Sequence, residues 1–310
     1  MSRTAMTIDA DGEGRLAADF TAASDDALDG PRGRPCVVMA HGFTGTRDCG
    51  LDGFIDVLTA AGAHVLAFDY RHFGQSSGIP DQLVSPARQI RYYHAAIHHA
   101  RALPGVDPYR IAVWGVSLSG GHVMRVAAED RRLAAVVSLT PGIDGGAAVA
   151  LMLRTRGLRD PMRVVGRAAA DVAAAALGRP PVLTPAIGRP GDAAAITPPG
   201  ALEAMTTIAG PMWRNEFPAR GLLAVGAYRP ASKAGRIRCP VLMQIADHDQ
   251  VAPAHSARRI AERIGASTQH YPCDHFDVYT GMAFHEQVAA HQVEFLRRVL
   301  SSPTDQKDRS

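Results

Sequence analysis

The sequence has few features of secreted or membrane proteins. Its 310 residues include four cysteines without a CxxC pair, namely Cys36, Cys49, Cys239 and Cys273. Such scattered cysteines are typical of reduced thiols and not of a disulfide framework. No apolar run reaches the length of a membrane span, since the nearest one, Ala168–Leu177, is short and contains Asp171.

Targeting signals and runs of charge are also missing. Residues 1–16 contain no apolar segment of the kind found in secretory signals. The net charge is +3 and no basic tract is present, which argues against a nucleic-acid partner. These absences predict a cytoplasmic protein without a membrane partner. The oligomeric state stays open, with a homodimer as one option.

Hydrophobic residues make up 46% of the chain, enough for a sizeable core. Short apolar runs alternate with helical patterns, and an edge hairpin around Asp11-Gly12 comes before them. The runs lie at Cys36–Ala40, His64–Phe68, Ile111–Trp114 and Leu133–Leu139, with later ones at Pro240–Ala246 and Ser267–Tyr271. This alternation predicts an α/β fold with a doubly wound, mostly parallel sheet.

The alternation stops between residues 142 and 236, where we find helical patterns but no clear buried strand. Helices are predicted near Gly146–Arg156, Asp160–Leu177, Pro199–Thr207 and Glu216–Tyr228. A long insertion after the fourth parallel strand is most simply a cap over an active site. We therefore predict a core of residues 1–141 and 237–300, a helical cap at 142–236 and a disordered tail at 301–310.

The most informative motif is GVSLSGG at residues 115–121, which follows an apolar run and opens a helical pattern. A sharp strand-to-helix turn would project the Ser117 oxygen above the sheet, and small neighbours permit the tight backbone. The usual form is G-x-S-x-G, and here Ser119 replaces the second glycine. Ser117 is the predicted nucleophile, against the simpler interpretation of a glycine turn with an incidental serine.

Two later segments contain a candidate acid and a candidate base. Residues 246–253, ADHDQVAP, end a predicted strand and contain two carboxylates. Asp249 is preferred because it lies further beyond the strand, whereas Asp247 could cap the turn. His275 follows the last predicted strand, on a loop from which a general base can reach the serine. A carboxylate beside this histidine would orient it and stabilise its charged form.

These residues resemble the α/β-hydrolase superfamily, in which the triad occurs in the order Ser, Asp, His. The resemblance covers most of residues 35–140 and 237–300. Four segments are similar to a bacterial and fungal subgroup of cap-bearing, thioesterase-like hydrolases: AHGFTGTRDCGLDGF, AFDYRHFGQSSG, IAVWGVSLSGGHV and HFDVYTG. The resemblance implies hydrolysis of a small-molecule ester or thioester through an acyl-enzyme, without a cofactor.

In this fold two backbone N–H groups stabilise the oxyanion that forms when the carbonyl is attacked. One belongs to the residue after the nucleophile, here Leu118. The other comes from the loop HGFTG at residues 41–45, where Phe43 is preferred and Thr44 is the alternative. Trp213 and Phe217, aromatic residues of the insertion together with Tyr228, are candidate substrate contacts or packing residues.

Other functions remain open at this point. A cofactor-free haloperoxidase or an acyltransferase would use the same three residues, and a non-catalytic binding protein on this fold would typically have lost one of them. A serine nucleophile argues against dehalogenases and epoxide hydrolases, which use aspartate. Neither GxGxxG nor GxxxxGK[ST] follows the first strand, which weakens a nucleotide-binding function. His94 and His98 share a helix face, but without a third ligand they predict no metal site.

Overall fold

The computed structural model describes residues 3–301, apart from the side chains at positions 159 and 160. The predicted tail at 301–310 therefore lies outside the described residues, except for Ser301. The strands in chain order are β1 (Arg3–Asp9), β2 (Arg15–Thr21), β3 (Arg34–Ala40), β4 (His64–Phe68), β5 (Val106–Val116), β6 (Ala135–Leu139), β7 (Leu183–Thr184), β8 (Phe217–Pro218), β9 (Val241–Ala246) and β10 (Ser267–Tyr271).

Eight of these strands form one sheet in the order β1-β2-β4-β3-β5-β6-β9-β10. β1 and β2 form the predicted antiparallel hairpin, in which Asp11 and Gly12 have φ values of 53° and 80°. Positive φ at both central residues is the geometry of a type I′ turn. β2 joins β4 antiparallel, and the pairs from β4 onward are parallel. The predicted fold class, a mostly parallel α/β sheet, is confirmed.

Helices cover the sheet, which is why several strands are near-continuous apolar runs. The helices in chain order are α1 (Asp52–Ala60), α2 (Pro86–Ala102), α3 (Leu118–Glu129), α4 (Gly145–Arg156), α5 (Arg159–Ala176), α6 (Ala201–Ile208), α7 (Gly221–Ala227), α8 (Ala254–Ile264) and α9 (His285–Leu300), with a 3-10 helix at Pro230–Arg236. α1 packs with α9, and α3 packs with α2 and the 3-10 helix. Every residue of β4, β6 and β9 is buried.

Residues 142–236 contain α4 to α7, close to the four predicted helices, and none of their elements joins the large sheet. Two details correct the prediction. A short antiparallel pair, β7 with β8, is present where we expected no clear buried strand. The last helix of the segment begins at Gly221 and not near Glu216, because Pro218 cannot occupy a helix interior and its segment pairs with β7 instead.

The topology brings the candidate residues to one edge of the sheet. The loop at 41–45 follows β3, Ser117 follows β5, Asp249 follows β9 and His275 follows β10. These strands are parallel to one another within the sheet. Loops at the carboxyl ends of parallel strands share one side of the sheet, which is where such folds bind ligands.

Candidate active site

Ser117 lies in a strained turn between β5 and α3. Its φ of 58° is uncommon for a residue with a side chain. A Cβ at Gly115 would lie 2.2 Å from the carbonyl oxygen of Ser119, so this turn requires glycine there. The Ser117 N–H donates to the carbonyl of Leu139 at 2.9 Å, and its carbonyl accepts from Gly142 N–H at 2.8 Å. The end of β6 therefore holds the strained backbone in place.

Ser117, His275 and Asp249 form a connected line of hydrogen bonds. His275 Nε2 lies 3.0 Å from Ser117 Oγ, and His275 Nδ1 lies 2.7 Å from Asp249 Oδ2. The other carboxylate oxygen of Asp249 accepts from the N–H groups of Val251 and Ala252, at 2.7 and 2.6 Å. Because Asp249 is acceptor-only when ionised, His275 Nδ1 carries the proton and Nε2 is free to accept one from Ser117.

The other candidate acid, Asp247, points elsewhere. Its carboxylate accepts from Arg258 at 3.0 Å and lies 2.9 Å from His270 Nδ1. Both of these partners are partly exposed and lie on α8 and β10. The geometry therefore pairs His275 with Asp249 and leaves Asp247 as a link between the strand end and a neighbouring helix.

His275 is almost completely buried between its two partners. Burial by itself would lower its pKa, because it disfavours the charged imidazolium. The charge of Asp249 and the hydrogen bond to it outweigh burial, with a smaller contribution from Asp274. The pKa of His275 is therefore raised above its ordinary value of 6.5. The site thus stabilises the imidazolium, which is the form that a histidine takes when it accepts a proton as a general base.

Two backbone N–H groups near Ser117 are candidate oxyanion donors, that of Phe43 on the loop after β3 and that of Leu118 at the start of α3. A Cβ at Gly42 would lie 3.0 Å from Ser117 Cβ, so glycine permits the close approach of this loop. Within residues 3–301, the N–H groups of Phe43 and Leu118 have no hydrogen-bond acceptor. Phe43 lines the cavity around Ser117, whereas its neighbour Thr44 does not. Because it lies at the cavity, Phe43 stays the preferred candidate for a donor toward an oxyanion.

Comparisons with known proteins identify the family of this chain. Residues 35–178 match the family described as alpha/beta hydrolase fold. The quorum-quenching protein AidA of Acinetobacter baumannii (strain MDR-ZJ06) is 38% identical over 86% of this chain and 87% of its own length. The chain belongs to the α/β-hydrolase family.

Two further matches of this α/β-hydrolase are also named as hydrolases. The thiohydrolase aneE of Aspergillus aculeatus is 31% identical, over 86% of each chain. The solved structure of the α/β hydrolase GrgF from Penicillium sp. sh18 superposes with a TM-score of 0.79 at 21% identity, covering 97% of this chain and 99% of that one. At that identity the superposition shows the shared fold alone.

Ser119 connects the turn at Ser117 to the loop after β3. Its buried hydroxyl donates to the carbonyl of His41, so Tyr70 OH is the donor in the 2.6 Å hydrogen bond between Tyr70 and Ser119. The sequence showed this serine only as a departure from the G-x-S-x-G form. The structure shows that it replaces the usual glycine with a buried connection to the loop that carries Phe43.

Arg47 is the second anchor of that loop, and sequence reasoning missed it. Its backbone N–H donates to Asp69 at 2.7 Å, and its guanidinium contacts Asp69, Asp19 and Gln75. Asp69 is fully buried at the end of β4. The segment DYRHFG was the available signal, since it placed a carboxylate at a strand end, but nothing in the sequence identified Arg47 as its partner.

A cavity of about 760 Å³ opens above Ser117. Its walls come from α4, α5 and α7 and from the loops near residues 190–199 and 250–253, and most of its lining is apolar. Representative wall residues are Met152, Val164, Ala168, Leu222 and Val225. A largely apolar cavity of this kind favours an apolar ligand over a charged one.

The two candidate substrate contacts of the insertion do not line this cavity, which corrects their assignment. Phe217 is fully buried and packs edge-on against Phe43, with ring centroids 5.0 Å apart, because its strand pairing with β7 points it into the core. Trp213 is half-buried, and its indole N–H has no acceptor among the described residues. Tyr228 does line the cavity, and its hydroxyl lies 2.6 Å from His122 Nδ1.

Features of metal-binding, disulfide-bonded and membrane-spanning proteins are absent from the part of the chain that the structure describes. Residues 3–301 contain no cluster of three or more metal-ligating side chains, and His94 contacts Glu129 at 3.3 Å. All four cysteines are free thiols. No helix among these residues is long and apolar enough to cross a membrane.

Proposed function

We propose that this α/β-hydrolase is a serine hydrolase that cleaves a carboxylic ester or thioester through an acyl-enzyme. The observation that carries the proposal is the hydrogen-bonded line from Ser117 through His275 to Asp249. The names of relatives support it: they include a quorum-quenching protein, thiohydrolases and an acyltransferase. Ser117, His275 and Asp249 are all present, which a non-catalytic binding protein would not require.

In the first half of the reaction, His275 Nε2 accepts the Ser117 proton while Ser117 Oγ bonds to the substrate carbonyl carbon. The Phe43 and Leu118 N–H groups stabilise the resulting oxyanion. The bond to the leaving oxygen or sulfur then breaks, and His275 gives its proton to that atom. Asp249 keeps its charge throughout and holds the imidazole in the required tautomer.

In the second half, His275 accepts a proton from water as the water oxygen bonds to the same carbon. The bond to Ser117 Oγ then breaks and Ser117 recovers its proton from His275. The acid product leaves and the enzyme returns to its starting state. Ser117 and His275 carry out every bond change and proton transfer in this scheme.

Replacement of Ser117 tests this proposal. Ser117→Ala should lower the rate of ester hydrolysis on the order of a million-fold and abolish labelling by a fluorophosphonate probe. His275→Ala should have a similar effect, whereas His255→Ala, at an exposed position on α8, is the matched control and should retain activity. Wild-type protein that neither reacts with the probe nor hydrolyses any ester would contradict the proposal.

A further inference from the structure

The space around Ser117 consists of two compartments of very different size. The large compartment has the volume of about 760 Å³ described above. A small compartment of about 30 Å³ lies on the other side. Phe43, Ser117 and Ile196 line both, so these residues form the boundary between them.

His275 lines the small compartment, and the described lining of the large one does not include it. This difference decides what each compartment can hold. His275 Nε2 must give a proton to the departing group and later take one from the attacking acceptor, and both transfers need hydrogen-bond contact. The leaving group and the acceptor therefore both occupy the small compartment, and the acyl chain occupies the large one.

The size of the small compartment limits its contents. One water molecule needs roughly 10–15 Å³ of volume that the centre of a water-sized sphere can occupy. The small compartment has about 30 Å³ of such volume, so it holds a water molecule or a group of a few heavy atoms. A water molecule or a methoxy group fits this space. A long alkoxy chain does not, unless the surrounding side chains move.

The walls of the small compartment are fixed by packing and hydrogen bonds. The Asn215 side chain accepts from Ile187 N–H at 2.9 Å and donates to the Ile187 carbonyl at 2.8 Å. Ile187 also forms a bridge with Ile196. Met205 and Ile208 of α6 are 5% and 6% exposed and complete the wall from residues 142–236. Such packed side chains resist displacement because interiors have little free space.

We propose that this enzyme selects acyl donors with a long apolar acyl chain and a compact leaving group, and that the small compartment admits water as the acceptor while excluding larger alcohols. Met205 and Ile208 are the residues that set the upper size of the leaving group. This inference rests on the proposed function and adds the orientation of the substrate at Ser117.

Two isomeric esters test the orientation directly. Methyl nonanoate and octyl acetate have the same molecular formula, but the first has its long chain on the acyl side and the second has it on the alcohol side. kcat/KM for methyl nonanoate should exceed that for octyl acetate by at least ~100-fold, since an oversized group is excluded from a close-fitting pocket. Equal values, or a preference for octyl acetate, would overturn the proposal.

Variants of the wall provide the second arm of the test. Met205→Ala and Ile208→Ala should each raise kcat/KM for octyl acetate about tenfold relative to methyl nonanoate. They should also allow transfer of the acyl group to added butanol. Val164→Phe in the large compartment should instead lower turnover of methyl nonanoate. The matched control is Thr206→Ala, at an exposed position on α6 beside the wall residues, and it should leave kcat/KM for both esters unchanged. If the ratio of kcat/KM for octyl acetate to that for methyl nonanoate is unchanged in both wall variants, the assignment of the walls is refuted as well.

Failure of this inference is distinguishable from failure of the proposed function. If a fluorophosphonate labels Ser117 and both isomers are cleaved equally, only the compartment assignment is wrong. If Ser117 is not labelled and neither isomer is cleaved, the proposed function itself fails, and this inference with it.

Discussion

Ser119 shows how one residue next to a nucleophile can support the site without touching substrate. Its hydroxyl accepts from Tyr70 and donates to the His41 carbonyl, in a region with no access to solvent. A buried polar group that loses its hydrogen-bond partner stays removed from water, and this loss of hydration destabilises the folded state. The position of the loop that carries Phe43 therefore depends on an oxygen that the usual glycine would not provide.

Ser119→Ala and Ser119→Gly should each lower the free energy of unfolding by about 1–3 kcal/mol, because Tyr70 OH and the His41 carbonyl lose a partner. We expect kcat to fall while a fluorophosphonate still labels Ser117. Urea unfolding and steady-state kinetics measure the two effects. Ser24→Ala, at an exposed position, is the control, and an unchanged kcat in both Ser119 variants would show that this connection does not position the loop.

The raised pKa of His275 predicts the pH dependence of the reaction. A general base must be neutral, so kcat/KM should fall as the pH drops through the His275 pKa, which lies above 6.5. Asp249→Asn removes the charge that raises this pKa, so its acid limb should move to lower pH while the rate falls about 10,000-fold. A pH–rate profile of both proteins measures the shift. An acid limb at the same pH in the variant would contradict the assignment.

At the scale of elements, the loop after β3 is held by contacts with two other strands of the sheet, β2 and β4. Asp69 at the end of β4 accepts from the backbone and the guanidinium of Arg47. Asp19 of β2 accepts from the same guanidinium at 2.7 Å. Removing one partner of such a buried pair leaves an uncompensated charge, which is far more costly than losing an exposed pair.

Arg47→Ala should therefore lower the free energy of unfolding by about 3–5 kcal/mol. The control is Arg3→Ala, whose ion pair with Asp52 at 2.7 Å lies on the surface, with side chains 42% and 58% exposed. Arg3→Ala should lower the free energy of unfolding by only about 0–1 kcal/mol. Urea unfolding of the two variants compares them directly, and equal effects would mean that the Arg47 network contributes little to stability.

At the scale of the whole molecule, the large compartment depends on how the helices of residues 142–236 are held together. The Asp171 side chain of α5 is fully buried, and it accepts from Val182 N–H at 2.8 Å and from Arg220 N–H at 2.9 Å. The Arg220 guanidinium adds an ion pair at 2.9 Å. Because α5 and α7 both line the cavity, this junction helps determine its shape.

Asp171→Ala should loosen α5 from α7 and raise KM for methyl nonanoate about tenfold, which corresponds to ~1.4 kcal/mol of binding free energy. Methyl acetate does not need the far end of the cavity, so its KM should change little. Asp26→Ala, in an exposed loop, is the control. Steady-state kinetics with both esters give the result, and a parallel rise for the two substrates would point to damage at Ser117 instead.

Features that depend on short stretches of chain could be predicted from the sequence. The apolar runs that became β3, β4, β6 and β9 were visible because strands covered on both faces are apolar throughout. The turn at Asp11-Gly12 was visible because few residues adopt positive φ. The candidates Ser117, Asp249 and His275 followed from turn chemistry and chain order, and the structure places them within hydrogen-bond distance of one another.

Only the tertiary structure decided which distant groups meet. It paired His275 with Asp249 instead of Asp247, joined Arg47 to Asp69, and turned Phe217 away from the cavity. It also separated the space at Ser117 into two unequal compartments. Periodicity and turn preference arise between neighbours along the chain, and so the sequence displays them. Contacts between residues far apart in the sequence depend on how whole elements pack, which no local pattern records.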